Sequence, residues 1–162
     1  RYLTDEMRQT LDAFGPHSGD GVAGRSDVRC VVHGDYRLDN LLFATEPDGP
    51  SVTAVDWQTP GFSCGIGDLA YFCGAGLQPE DRRLHEAALV DVYIDGLRAY
   101  GVEVDRDWVW TQYRRETWSG VLMAVIASQV VGGDDRSESM FAAMATRHLQ
   151  HAADLDAIEL VR

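Results

Sequence analysis

The chain has 162 residues, and its 14 basic and 26 acidic side chains give a formal net charge of −12. Every basic residue is arginine, because the sequence contains no lysine. So acidic a chain is poorly suited to neutralising nucleic-acid phosphates, which excludes nucleic acid as an expected partner and leaves cationic small molecules compatible. The length fits a single domain, residues 1–162, and a hydrophobic content of 45% suffices for a sizeable core.

The cysteines and apolar segments indicate a cytoplasmic protein without a membrane span. Cys30, Cys64 and Cys73 are odd in number and lack Cys-x-x-Cys spacing, which favours reduced thiols over a disulfide framework or a zinc site. No apolar run reaches the roughly 18 residues that a membrane helix needs. The first residue is arginine and no signal peptide is visible, so we expect a chain that begins inside a longer product or has been processed.

The first 27 residues predict a short helix and a loop. Thr4 has the character of an N-cap, acidic residues occupy the turn after it, and Gly15-Pro16 stops the helix. Residues 15–27 are rich in glycine, serine and aspartate and predict a mobile loop. The Gly-x-Gly-x-x-Gly sequence at 19–24 belongs to this loop, because that motif cradles phosphate only when flanking strands or helices aim its amides.

Short strands and then long helices follow. Residues 28–32, 41–43 and 52–55 predict strands, and turn residues 46–50 join the last two in a hairpin. Beyond Pro79 the apolar residues recur at helical spacing. Three stripes cover residues 87–97, 118–130 and 140–158, with breaks at Gly101 and Gly132-Gly133. The middle helix is apolar almost all round, which places it at the buried centre of a bundle, and the fold class is α+β, mainly α.

Polar side chains gather at one end of the predicted hairpin. Asn40 directly precedes its first strand and Asp56 directly follows its second, and antiparallel strands bring such ends side by side, about 5 Å apart. Asp35 lies five residues before Asn40, in the loop that leads to the same end. Carboxylate and amide oxygens are hard ligands that suit Mg²⁺, which completes its shell from phosphate and water. The sequence therefore predicts a metal–phosphate site made by these three side chains.

The order of these residues carries a family resemblance. His33-Gly34-Asp35 with Asn40, followed by Asp56, resembles the catalytic core of the aminoglycoside phosphotransferase and choline-kinase-like family, a small-molecule branch of the protein-kinase fold. In the kinase catalytic loop an Asp is likewise followed five residues later by an Asn, with a metal-binding Asp downstream. The wording of this stretch is most similar to members related to ecdysteroid kinases and to those fused to acyl-CoA dehydrogenases.

The resemblance implies a fold and an activity. It rests on the motifs of residues 28–75, and it implies the C-terminal lobe of a protein-kinase-like fold, in which a small β-hairpin bears the catalytic loop. Residues 80–162 are then the helical bundle that binds the acceptor. The implied reaction transfers the γ-phosphoryl group of ATP or GTP to a hydroxyl of a small molecule, with Mg²⁺ as cofactor.

The resemblance also assigns roles residue by residue. Asp35 would orient and deprotonate the acceptor hydroxyl, and Asn40 and Asp56 would hold Mg²⁺ on the nucleotide phosphates. His33 would shape the loop rather than act as an acid or base. Asp68, in Gly67-Asp68-Leu69-Ala70, resembles the buried family aspartate that braces the catalytic loop through backbone hydrogen bonds.

Other side chains near the motif and in the helices have open roles. Arg37 either contacts a phosphate or pairs with a neighbouring carboxylate, and Trp57 stands where kinases have the phenylalanine that follows the metal-binding aspartate. Trp108 and Tyr113, with two further tryptophans, either cage a cationic acceptor by cation–π contact or form core.

His148 and His151 also have two possible roles. Both lie on the apolar stripe of the last helix. Their spacing of three could bind a metal, but packed core histidines are the favoured interpretation.

One half of a kinase is missing from the sequence. A nucleotide lobe needs a glycine-rich strand–turn and a strand lysine, and too few residues precede His33 to supply them. We therefore expect the chain to be the C-terminal lobe of a larger enzyme, with its N-terminal lobe absent. By itself it should be inactive, and its uncovered lobe face could drive self-association.

Two other classes of function are compatible with the same residues. A non-catalytic binding module could retain the lobe, although such a module has no chemical need for Asp35, Asn40 and Asp56 together. A metal-dependent hydrolase could use the same carboxylates, but it would need more ligands than one hairpin end supplies. The sequence ranks the phosphotransferase first and the hydrolase last.

Overall fold

The computed structural model describes residues 3–19, 28–45, 51–130 and 135–161. In chain order its elements are α1 (Asp5–Phe14), β1 (Cys30–Val32), β2 (Leu41–Phe43), β3 (Val52–Ala54), β4 (Gly61–Ser63), α2 (Ile66–Gly76), α3 (Pro79–Ala99), α4 (Arg106–Val130) and α5 (Asp135–Asp154). Short 3₁₀ turns cover Gly15–His17, Leu38–Asn40 and Ala157–Leu160. The predicted α+β, mainly helical fold class is confirmed.

The strands form two antiparallel pairs. β2 pairs with β3, with Leu41 opposite Ala54, which confirms the predicted hairpin, although its turn at 46–50 lies outside the described residues. β1 pairs with β4, with Val32 opposite Gly61. β4 was not predicted, because a Gly-Phe-Ser segment directly after a proline has no readable alternation. β4 is stabilised by its backbone pairing with β1, which satisfies the hydrogen-bonding groups of both strands.

Helix α1 begins and packs as its sequence indicates. The Thr4 hydroxyl accepts a hydrogen bond from the Met7 amide at 3.2 Å, so the predicted N-cap is confirmed. Phe14 is buried and stacks on Trp118 with ring centroids 4.1 Å apart, which joins α1 to α4. The predicted loop at 15–27 is wrong in its first residues, because Gly15–His17 continue as a 3₁₀ turn. The Gly-x-Gly-x-x-Gly sequence falls almost entirely outside the described residues.

Helix α2 was missed by the sequence analysis. It contains glycines at 67, 74 and 76, which are poor helix formers, so its pattern is weak. One of these glycines has a packing reason. A Cβ on Gly74 would lie 2.3 Å from the His148 ring, and one on Gly120 would lie 2.1 Å from it. Both glycines therefore let α5 approach α2 and α4 closely.

Helix α3 ends where the sequence predicts. Gly101 has a φ of +77°, and its amide donates to the Arg98 carbonyl while the Val102 amide donates to Leu97. This is the Schellman arrangement, which favours glycine at the left-handed position.

Helix α4 lies at the centre of the bundle, against α2 and α5. Its burial stops before its C-terminus, since Val125, Ile126 and Val130 are 43%, 57% and 76% exposed. The prediction that this helix is the buried centre of the bundle is therefore wrong for its last turns. Within the described parts of the chain, no helix is both long and apolar enough to cross a membrane.

The two histidines of α5 are core residues. His148 and His151 are both completely buried, and burial lowers the pKa of His148 to about 3, so its ring is neutral at physiological pH. The Tyr71 ring packs on His148 at 5.3 Å, and the Tyr113 ring packs on His151 at the same distance. The favoured interpretation of both residues as packed core histidines is confirmed.

A buried cluster of charges joins α3 to α5. The Arg82 guanidinium is 2% exposed, donates to Glu86 at 2.9 Å and pairs with Asp154 at the end of α5. Glu86 also accepts from the Tyr113 hydroxyl at 3.1 Å and lies 3.2 Å from His151. Burial alone would raise the pKa of Glu86, but His151 and Arg82 hold it below its ordinary value.

Candidate active site

The loop between β1 and β2 makes a sharp turn directly after the buried end of β1. Gly34 has a φ of +82°, and a Cβ there would lie 2.4 Å from the Thr59 carbonyl oxygen. Only glycine satisfies both the left-handed backbone and this close approach. The turn sends the chain toward β2 with the Asp35 side chain at the hairpin end.

The Asp68 carboxylate fixes the backbone of this turn through two hydrogen bonds. Its Oδ2 accepts a hydrogen bond from the His33 amide at 2.7 Å, and its Oδ1 accepts one from the Gly34 amide at 3.0 Å. The carboxylate lies in the first turn of α2, where the helix dipole favours a negative charge. The geometry is that of a brace on the loop backbone.

His33 is held inside the loop through both ring nitrogens. Its Nε2 donates to the Val55 carbonyl at 2.8 Å, and its Nδ1 accepts from the Asp35 amide at 3.3 Å, which requires the proton on Nε2. The side chain is 1% exposed and packs on Trp57 at 4.6 Å. Such a ring joins the loop to the end of β3 and has no nitrogen left for substrate.

Both oxygens of the Asp35 carboxylate accept hydrogen bonds. Oδ2 accepts from Asn40 Nδ2 at 3.1 Å and lies 3.4 Å from Arg37 Nε, and Oδ1 accepts from the Tyr71 hydroxyl at 3.1 Å. About a quarter of the Asp35 side chain is exposed, so it still reaches solvent. Tyr71 was missed by the sequence analysis, because α2 itself was missed. Burial and the Asp35 charge raise the pKa of Tyr71, which keeps the hydroxyl protonated as a donor.

The hairpin register places Asp56 next in the chain to the residue that pairs with Asn40. The Val55 amide donates to the Asn40 carbonyl at 2.9 Å, so Asp56 begins one residue beyond the paired position. Asn40 Nδ2 also donates to the Asp35 carbonyl at 2.8 Å, which leaves Oδ1 as the atom that Asn40 can offer a metal. Asp56 is exposed and has a φ of +64°, a conformation that non-glycine residues adopt mainly where the surroundings enforce it.

The donor set fits Mg²⁺ and does not by itself complete a coordination shell. One carboxylate and one amide oxygen are hard ligands, and Mg²⁺ commonly keeps waters and substrate phosphates in its remaining positions. In the described part of the chain, no group of three or more His, Cys, Asp or Glu side chains could hold a metal. A metal here would therefore depend on nucleotide phosphate for further ligands.

Two of the remaining residues predicted from the sequence, Arg37 and Trp57, lie near the hairpin end. Arg37 lies within ion-pair distance of Asp35 and of Asp39, at 3.4 and 3.7 Å, which is the carboxylate pairing considered from the sequence. Trp57 is 52% exposed beside Asp56, and its Nε1 donates to the Ala54 carbonyl at 3.1 Å. Both residues therefore border the hairpin end.

Trp108 and Tyr113 are not brought to this end. Tyr113 is completely buried and bonded to Glu86, and Trp108 packs against the same core cluster. Tyr113 is therefore a core residue, and Trp108 lies half-buried against that core.

A cavity of about 550 Å³ lies next to the loop, between β4, α2 and α4. The loop side is formed by Gly34, Thr59, Asp68 and Tyr71. The α4 side presents Glu116 and Ser119 and then apolar residues: Leu122, Met123 and Ile126. The cavity is therefore mainly apolar, with polar groups at the end that adjoins the loop.

Substitution of Gly34 by alanine should destabilise the loop more than the same change at Gly101. The φ values of the two glycines are similar, but a Cβ at Gly101 meets nothing within 4 Å. The left-handed strain of about 1 kcal/mol is common to both variants. The clash with the Thr59 carbonyl acts only at Gly34, so its urea midpoint should fall further. Equal midpoints for the two variants would show that the loop can yield at Thr59.

Comparisons with known proteins identify a family and a similar fold. The family model of the ecdysteroid kinase-like family matches residues 3–103. The crystal structure of a proposed aminoglycoside phosphotransferase from Ralstonia eutropha JMP134 superposes with a TM-score of 0.50 at 18% identity. That match covers 91% of this chain and 54% of the neighbour, so the chain spans about half the length of that protein. No curated protein matches the chain in sequence.

Proposed function

The chain belongs to the ecdysteroid kinase-like family, and from this premise we propose that it supplies the catalytic half of a small-molecule phosphotransferase. The reaction is transfer of the γ-phosphoryl group of ATP or GTP to a hydroxyl of a small molecule. The observation that carries the proposal is the Asp35 carboxylate, held on both oxygens beside Asn40 at the hairpin end. The fold shared with the phosphotransferase structure supports it.

Asp35 is the proposed general base. Its carboxylate is partly exposed, and its position is fixed by Asn40, Arg37 and Tyr71, so it can take the proton of a bound hydroxyl without reorganising. A fixed base of this kind also orients the hydroxyl oxygen for attack on phosphorus. His33 and Asp68 keep the loop backbone in place and do not transfer protons in this scheme.

Asn40 Oδ1 and Asp56 are the proposed ligands for Mg²⁺. Bound with nucleotide, the ion would neutralise the charge that builds on the phosphates during transfer. Asn40 binds Asp35 through its amide nitrogen, so the same residue ties the base to the metal position. Asp56 and Trp57 are exposed at the end of the hairpin, so a bound nucleotide could contact both side chains.

The acceptor is proposed to bind in the cavity between β4, α2 and α4. Its volume of about 550 Å³ is in the range of small-molecule sites. Tyr71 lines the cavity and bonds Asp35, so the cavity adjoins the proposed base. This proposal keeps acceptor binding in the helical bundle and moves it from Trp108 and Tyr113 to the side chains of α4 that face the loop.

A second lobe is the proposed partner of the strand surface. Val31 and Phe62 are both 68% exposed on β1 and β4, and Leu42 and Phe43 are 56% and 59% exposed on β2. Exposed large apolar side chains such as the paired Val31 and Phe62 are a feature of interaction sites. In a longer protein it would meet the nucleotide lobe, and in the isolated chain it could cause self-association.

The proposed function is tested by a phosphoryl-transfer assay on the 162-residue chain and on a longer protein that joins this chain to a nucleotide lobe. γ-Labelled ATP and GTP are supplied with a panel of alcohols, with and without Mg²⁺. We expect Mg²⁺-dependent label transfer by the longer protein and negligible transfer by the chain. Nucleotide binding without transfer in the longer protein would instead support a binding module, and release of free phosphate alone would support a hydrolase. Robust transfer by the isolated chain would contradict its proposed dependence on a second lobe.

A further inference from the structure

Helix α2 contacts the loop that carries the candidate base through two residues about one turn apart. Asp68 accepts hydrogen bonds from the loop amides of His33 and Gly34, and Tyr71 donates its hydroxyl hydrogen bond to Asp35 Oδ1. Residues three apart lie on the same face of a helix. One rigid element therefore fixes both the backbone of the loop and the side chain of its aspartate.

The two oxygens of Asp35 have different environments. Oδ2 is close to two donors, Asn40 Nδ2 at 3.1 Å and Arg37 Nε at 3.4 Å, both from its own loop. Oδ1 receives the Tyr71 hydroxyl at 3.1 Å, from across the fold. A carboxylate oxygen has two lone-pair directions, so the Tyr71 bond decides which direction on Oδ1 stays available.

Tyr71 is itself held firmly. It is 5% exposed, and it packs in a core cluster with Ala124, Phe141 and Met144 and against the His148 ring. Another part of its surface borders the cavity between β4, α2 and α4. A side chain immobilised by α4 and α5 can impose its own orientation on the group that it bonds.

We propose that Tyr71 is a positioning residue for the phosphoryl transfer: it rotates the Asp35 carboxylate so that Oδ1 faces a hydroxyl bound in the adjoining cavity. This inference rests on the proposed function and adds a residue to that site. Tyr71 keeps its proton and transfers none, so its contribution is geometric. Its loss should therefore lower the rate of transfer rather than the binding of nucleotide.

The test uses Tyr71→Phe in the longer protein, because this variant removes one oxygen atom and keeps the packed ring. We expect kcat to fall by about tenfold to a hundredfold, the usual worth of a hydrogen bond to a charged group, with KM for ATP unchanged. Tyr93→Phe is the matched control, since Tyr93 is a half-buried helical tyrosine that has no described contact with Asp35. It should leave kcat unchanged.

A double-mutant cycle separates positioning from a general structural effect. In an Asp35→Asn background, Tyr71→Phe should lower the residual rate by less than twofold, because the carboxylate that it orients is gone. An equal loss in both backgrounds, or full activity of Tyr71→Phe alone, would overturn the inference while leaving the proposed function standing. Absence of transfer in the wild-type longer protein would overturn both. Urea midpoints of each variant establish that the fold is intact.

Discussion

Replacement of Asp35 by asparagine should reduce phosphoryl transfer by the longer protein by about 10²–10⁴-fold, the usual contribution of a positioned general base. Asparagine keeps the shape of the side chain and can still bond Asn40 and Tyr71, but it cannot take the proton of the acceptor. Nucleotide affinity should remain, because Asn40 and Asp56 are unchanged. The measurement is kcat at saturating acceptor, together with ATP binding by calorimetry.

Asp39→Asn is the matched control for this variant. Asp39 lies in the same loop and undergoes the same chemical change, but its side chain is 78% exposed and it contacts Arg37 at 3.7 Å rather than the hairpin end. Its kcat should stay within about twofold of wild type, since surface ion pairs contribute little. If both variants lost activity equally, loop charge in general would be responsible, and Asp35 would not be the base.

Replacement of Arg82 by methionine should produce the largest loss of stability among the changes considered. Arg82 is the buried cation between Glu86 and Asp154, and methionine would leave Glu86 inside the bundle without its charge partner. Removal of one member of a buried pair typically costs about 3–5 kcal/mol of unfolding free energy. That is a large part of the roughly 5–15 kcal/mol available to a domain of this kind. Urea denaturation followed by circular dichroism measures it.

Two further variants test the reason for this loss. Arg106→Met removes an arginine that bonds Asp91 at 2.7 Å, but that pair is exposed, so its urea midpoint should not move measurably. Arg82→Met with Glu86→Leu should be more stable than Arg82→Met alone, because the unpaired buried carboxylate is then gone. A double variant that is less stable than the single one would show that the contacts of Glu86 with Tyr113 and His151 outweigh the cost of its unpaired charge.

Elements with strong local signals were predictable from the sequence. Thr4 as a cap, Gly101 as a helix end and the hairpin of β2 and β3 depend on interactions within a few residues, and the structure shows all three. Helix α2 and strand β4 were not predictable. α2 is rich in glycine and β4 has three residues, and each is stabilised by contacts with elements distant in sequence.

The candidate site likewise has features that could be predicted from the sequence and features that could not. The sequence by itself determined the five-residue spacing of Asp35 and Asn40 and the residue types proposed as metal ligands, because a loop and a hairpin register are local properties. The family resemblance also implied that Asp68 braces the loop.

Only the tertiary structure decided the surroundings of these residues. It brought Tyr71 to Asp35 across 36 positions, formed the cavity beside them, and placed Tyr113 in the core with Trp108 packed against it. The physical reason is that helix packing sets those contacts. In particular, α5 approaches α2 at Gly74 and α4 at Gly120, and this packing depends on all three helices together rather than on any one segment of the sequence.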